Sequence, residues 1–99
     1  MKNLKVSQGI VEKLRKDHSV DLGEVRQCFY NRCGKLLLDT RIEHQTNPPT
    51  LWFIAQTNHN RLLKIVYIQK GDQVQLKSAF EPNAEEIRIY RRYGGPISE

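Results

Sequence analysis

Between residues 51 and 80 the chain lays down three apolar runs, LWFIAQT, LLKIVYIQ and QVQLKSAF, joined only by NHNR and KGD. Connections this short turn the chain back on itself and cannot carry it over a sheet face, so successive strands must lie antiparallel. The last run alternates, with Val74, Leu76, Ser78 and Phe80 expected on one face. The first two are apolar on both faces, which demands cover on both sides of the sheet. An earlier run, KLLLDTRI from Lys35, precedes the loop TNPPT, where Pro48 and Pro49 forbid continuous pairing. The sum is a four-stranded antiparallel sheet.

Helices supply the cover. Ser7 is placed to cap a first helix whose apolar positions are Ile10, Val11 and Leu14, with His18 at its far end. Asp21 and Glu24 form a D-x-x-E capping box for a second, with Leu22, Val25, Cys28 and Phe29 along one stripe and Gly34 as the stop. Asn83 and Glu86 repeat the box before IRIYRRY, and Gly94-Gly95-Pro96 ends the last helix. The predicted class is α+β: a four-stranded antiparallel sheet with two N-terminal helices and one C-terminal helix.

Ninety-nine residues make one domain, 1–99, with its core within about 5–94. No apolar run is long enough to span a bilayer, and the N-terminal residues lack the apolar region of a secretory signal, so the expected location is the cytoplasm. Cys28 and Cys33, five apart on a helix, fall on different faces, so both are expected as thiols, Cys28 in the core and Cys33 at a helix end. Two cysteines build no zinc framework, and neither a metal nor a cofactor is expected. The net charge of +5 is concentrated in residues 1–20 and 51–80, each at +3, while residues 21–50 balance and residues 81–99 come to −1. This bias favours an anionic partner such as RNA, DNA or an acidic protein.

With those elements placed, a resemblance is carried by several stretches in order. LRKDHSVDLGEVRQCF resembles the opening element of BrnT-type toxins, NRLLKIVYIQKGDQVQLKSAF resembles their central hairpin, and EEIRIY is similar to their closing helix. The resemblance implies a RelE/ParE-like fold, metal-independent RNA cleavage, RNA (including ribosome-associated RNA) as substrate, and a small antitoxin-like protein as partner. It matches His18 to the family histidine, Arg61 to the residue opening the hairpin, and Glu86, Arg88 and Tyr90 to the terminal helix. One departure matters: Ser78-Ala79-Phe80 stands where the toxins have S-A-R. DTRIEH and PPTLW instead resemble a branch of small bacterial proteins often labelled ADP-ribosyl-(dinitrogen reductase) hydrolase. That label implies a hydrolase of a nucleotide-derived small molecule, yet the sequence shows no cluster of acidic metal ligands.

Metal-free RNA cleavage needs a base that titrates near neutrality, cations for the developing phosphorane charge, and an acid for the leaving oxygen. The acid–base candidates are His18 with Glu43 or His44. Arg61, Lys64, Lys77, Arg88, Arg91 and Arg92 are the candidates for phosphate, and Glu86 and Tyr90 are further site candidates. Each has a plainer reading. His18 would interact with terminal carbonyls at a helix end. Arg88, Arg91 and Arg92 would form a solvated helix face. Within DTRIEH, Asp39, Arg41 and Glu43 would line one face of a continuing strand, with Asp39 and Arg41 pairing. Trp52 reads as core and His59 as a turn residue. A non-catalytic relative binding protein or nucleic acid is the alternative that Phe80 favours.

Overall fold

The computed structural model of the chain describes residues 3–41 and 46–97. The three helices among these residues begin where the short-range capping chemistry places them. The Ser7 hydroxyl accepts from the Ile10 amide at 3.2 Å and opens α1 (Gln8–His18). Asp21 and Glu24 bond reciprocally, at 2.8 and 3.2 Å, before α2 (Leu22–Asn31). Asn83 and Glu86 do the same, at 2.8 and 2.9 Å, before α3 (Ala84–Tyr93). Each reciprocal pair satisfies two of the amides that the first turn leaves without a partner.

Among the described residues the sheet has five strands: β1 (Leu4–Lys5), β2 (Leu37–Leu38), β3 (Thr50–Gln56), β4 (Leu62–Lys70) and β5 (Gln73–Phe80), in the order β1-β5-β4-β3-β2. The expected four-stranded antiparallel sheet is corrected on two points. The α+β class and the antiparallel β2–β5 neighbours stand, but β1 adds an edge strand that runs parallel to β5. Two residues carry no periodicity to read. Their pairing comes from a long-range contact, with the Val74 amide donating to the Asn3 carbonyl at 3.1 Å.

β2 is also far shorter than KLLLDTRI. Its pairing ends just past Leu38, where the Asp39 amide donates to the Thr50 carbonyl at 2.8 Å. The Asp39 carboxylate then turns back on the chain, accepting from the Arg41 amide at 3.2 Å and from its Nη2 at 2.8 Å. A two-residue reversal of this kind takes Asp39 and Arg41 off the strand face, although they pair as expected.

β4 and β5 slip register between Val66 and Tyr67: Val66 pairs Ser78 while Tyr67 pairs Leu76. Lys77 is the extra residue of this bulge, and it flips the alternation beyond it. Val74 and Leu76 therefore share a face with Ala79, while Ser78 and Phe80 point to the opposite face with Val66 and Lys64. This overturns the expected single row of Val74, Leu76, Ser78 and Phe80.

The two faces are covered differently. Leu14 of α1 and Val25 and Cys28 of α2 are buried with Phe53, Ala55, Ile65, Tyr67 and Leu76. Phe29 sits edge-on to both Phe53 and Tyr67, with ring centres 5.0 and 5.1 Å apart. Across the sheet, α3 lays the fully buried Tyr90 against Trp52. Gly34 was expected to stop α2, but the helix ends at Asn31 and Gly34 serves elsewhere. A Cβ on Gly34 would lie 2.5 Å from Tyr90 Oη and 2.7 Å from the Gly94 carbonyl oxygen. Only glycine allows the chain to pass this close to the end of α3.

Candidate functional site

The sequence-predicted residues fall into three separate places. The first is the corner where α1 meets α2. Ser19 takes a left-handed conformation (φ 53°) and ends α1, leaving carbonyls of the last turn without helical partners. Arg61, arriving from the β3–β4 turn, fills that gap. It donates to the His18 carbonyl at 2.9 Å, the Ser19 carbonyl at 2.8 Å, Glu24 at 3.1 Å and Glu81 at 2.7 Å. The hydrogen bond to Glu81 first, and the Glu24 carboxylate with it, raise the Arg61 pKa against the opposing effect of burial. The guanidinium is thus charge-compensated from within. His18 lies beside it, its ring 5.6 Å from that of Phe80, in a shallow depression whose other charged walls are Asp17 and Glu81. The carbonyl end of a helix and several carboxylates make this a poor place for an anion.

The second place is a cleft of about 580 Å³ on the α3 face of the sheet. The segment 36–41 forms one wall and Glu86, Ile89 and Tyr93 of α3 form the other, with Trp52 and Lys64 between them. Lys64 is only 6% exposed. Its ammonium donates to Glu86 Oε2 at 2.8 Å and stands 4.4 Å from the centre of the Trp52 ring and 5.7 Å from that of Phe80. Burial resists ionisation of Glu86. The hydrogen bonds from Lys64 and the Asn83 amide, with the charges of Lys64 and Arg41, outweigh it and hold the carboxyl below its ordinary range. Lys64 and Glu86 are therefore brought together, with Lys64 buried and Glu86 half-buried.

The third place is the outer surface of α3 and β5. Arg88 is exposed and paired with Glu85 at 2.5 Å one turn earlier, a contact that raises its pKa. Arg91 and Arg92 are exposed, and the Arg92 guanidinium lies over the Tyr93 ring at 5.5 Å. Lys77 projects from the bulge and is exposed. Tyr90 belongs to none of these surfaces. It is buried and donates its hydroxyl to the Lys35 carbonyl at 2.8 Å, and burial pushes its pKa up. Glu43 and His44 lie outside the described residues.

Sequence reasoning placed Trp52 in the core and His59 in a turn, and both are there. It did not find the cleft, because the walls come from residues 36–41 and 86–93, far apart in the chain. The available signal was Lys64 itself, a charge within the apolar run LLKIVYIQ. Among the described residues no group of three or more His, Cys, Asp or Glu is arranged to hold a metal, and no helix is long and apolar enough to cross a membrane. Compared with family models, curated proteins and solved structures, the chain matches none.

Proposed function

We propose that the protein binds single-stranded RNA through its exposed cations and does not cleave it. One observation carries the second half: the Arg61 guanidinium, bonded to the His18 carbonyl, is already neutralised by Glu24 and Glu81. Phosphoryl transfer needs a cation aimed at the charge that develops on phosphorus. Here Arg61 is spent on the fold, and Phe80 occupies the position at which the resemblance to toxins would put an arginine.

The binding half is supported by how the charges are distributed. Glu24, Asp39, Glu81, Glu85 and Glu86 are each held by an Arg or a Lys. Lys13, Arg15 and Lys16 on α1, Lys77 on β5, and Arg91 and Arg92 on α3 are exposed and form no ion pair among the described residues. These pairs engage four cations along with the five acids, and the cations left over are the surface groups that an anionic partner would meet.

The test is to titrate a labelled single-stranded RNA at several salt concentrations and to incubate the same RNA with excess protein and EDTA. Salt-sensitive binding with intact RNA is the expected result. Cleavage that His18→Ala abolishes would restore the toxin reading. So would growth arrest on expression that a neighbouring gene product relieves, because that is the behaviour of a toxin with its antitoxin-like partner. Absence of binding at low salt would remove RNA altogether.

A further inference from the structure

We propose that the cleft between segment 36–41 and α3 is a binding site for a small organic acid with a ring-sized apolar body, and that Lys64 receives its carboxylate. The proposal is independent of RNA binding, which engages the outer surface.

The argument begins with the donors of Lys64. An ammonium carries three N–H donors and cannot accept. Among the described residues, Lys64 has one hydrogen-bond acceptor, Glu86 Oε2, although it is 6% exposed. The Trp52 and Phe80 rings offer it π faces, which favour the charge but accept no directed hydrogen bond comparable to one from oxygen. Removing a charge from water is expensive, and a pair of charges is held in such a place at a cost that hydrophobic residues would avoid. A buried ammonium with donors to spare, lining an open cleft, is therefore a group suited to a ligand's oxygen.

The surroundings define the rest of the ligand. Leu36, Leu37, Trp52, Ile89 and Tyr93 give the cleft mostly apolar walls, and its volume falls in the range of small-molecule sites. At the mouth, Leu38 is 57% and Tyr93 61% exposed, so an apolar body would remove from water surface that the protein alone leaves wet. The head is assigned as an anion on two grounds. The whole chain carries +5, and the spare N–H donors of Lys64 bond a charged oxygen more strongly than a neutral one. A carboxylate of the ligand would meet the Lys64 ammonium beside Glu86, while Arg41 and Asp39, paired with each other at 2.8 Å, balance one another in the opposite wall.

Trp52 is the only tryptophan in the chain and lies in the cleft, so its fluorescence reports occupancy directly. The probe is phenylacetate, with phenylacetamide as its neutral counterpart, and amide shifts at Leu37, Thr40, Ile89 and Tyr93 locate the site. The expected result is saturable binding with a Kd on the order of 1 mM or tighter, at least about tenfold tighter for the acid. Lys64→Met, checked for native circular dichroism, should erase that preference. Ile89→Trp fills the cleft from α3 at a residue outside the ion pair and should abolish binding of both probes. Because it adds a second tryptophan, its binding is read from the amide shifts at Leu37 and Thr40, and it keeps the test decisive if Lys64→Met fails to fold. Absence of saturation, equal affinity for acid and amide, or binding unaltered by Ile89→Trp overturns the proposal. RNA titration of the same preparations tells this failure apart from failure of the RNA reading.

Discussion

Arg61 Nη1 lies 3.1 Å from Glu24 Oε2, and this contact joins the β3–β4 turn to the first turn of α2. Glu24 uses its other oxygen to cap that helix, accepting from the Asp21 amide at 3.2 Å. One carboxylate thus holds a helix start and a turn together, while Arg61 satisfies the carbonyls of His18 and Ser19. Removing the guanidinium strands a partly buried carboxylate and those carbonyls, so Arg61→Ala should cost roughly 2–4 kcal/mol. For a domain of this size each kcal/mol lowers the Tm by about 4–8 °C. Calorimetry of Arg61→Ala and Arg61→Lys checks this. A variant that melts like the parent but loses salt-dependent RNA binding would make Arg61 a phosphate ligand instead.

The Gly34 backbone and the Tyr90 hydroxyl form a second close junction, and the two residues should respond unequally. Tyr90→Phe removes the hydrogen bond to the Lys35 carbonyl and should cost roughly 1–3 kcal/mol. Gly34→Ala places a methyl group against Tyr90 and also against the backbone oxygens of Gly94 and Pro96. Backbone does not rotate away as a side chain does. Pairing Gly34→Ala with Tyr90→Phe should therefore leave most of the Gly34→Ala penalty in place. Denaturant melts of the two single variants and the double variant measure it. Complete rescue by Tyr90→Phe would mean that only the hydroxyl obstructs.

How much of this fold was legible in the sequence follows the range of each interaction. Ser7, the Asp21–Glu24 pair and the Asn83–Glu86 pair act across three residues, so a local pattern reveals them. The antiparallel order of β3, β4 and β5 follows from two tight turns. β1 was hidden because two residues acquire strand geometry only by meeting β5, some seventy positions away. The bulge at Lys77 was hidden because Ser78-Ala79-Phe80 can follow Leu76 in either phase. For the candidate site, the residue types were visible but their allegiances were not. Arg61, Lys64 and Tyr90 were singled out for chemistry, and tertiary contacts commit Arg61 to a corner, Lys64 to a cleft and Tyr90 to the core. Sequence spacing carries no information about such partners.

The two cysteines should separate cleanly in reactivity. Cys28 is buried with its Sγ 3.6 Å from the Ala55 carbonyl oxygen, whereas Cys33 is exposed. Burial first, then the Glu24 charge, pushes the Cys28 thiol up to about 12, with Arg61 opposing. The thiolate is the reactive form, so native protein at pH 8 should lose only the Cys33 thiol to a disulfide reagent. Guanidinium should release the second. Rapid native labelling of Cys28, read by mass spectrometry after digestion, would show that the core beneath α2 opens readily.

Glu86 supplies a pH dependence whose sign is fixed. Its folded pKa lies below the ordinary glutamate value, so folding favours the ionised form. The stability it contributes is present above the unfolded pKa of about 4.3 and is lost as pH falls through the lower folded value. Glu86→Gln should therefore be less stable than the parent at pH 7, and the gap should narrow on acidification below about pH 4. Thermal melts across that range measure the gap. A gap that stays constant would show that the ion pair with Lys64 does not contribute through charge.

The final expectation concerns α3, where the exposed arginines differ in what already occupies them. Arg88 is engaged by Glu85, while Arg91 and Arg92 have no carboxylate partner among the described residues. A cation already paired releases fewer RNA counterions when phosphate arrives, because it must first give up its own anion. Replacing Arg91 and Arg92 together with Ala should flatten the slope of log K against log salt by about 0.7 for each phosphate that the protein ceases to neutralise. Arg88→Ala should change it much less, because a guanidinium already compensated by Glu85 displaces few counterions from the strand. Surface replacements of this kind should leave the melting temperature nearly unchanged, which separates weakened binding from a damaged fold. Equal slopes for the parent and the Arg91/Arg92 double variant would place the RNA on the basic face of α1, and Lys13→Ala with Lys16→Ala would then be the variants that flatten it.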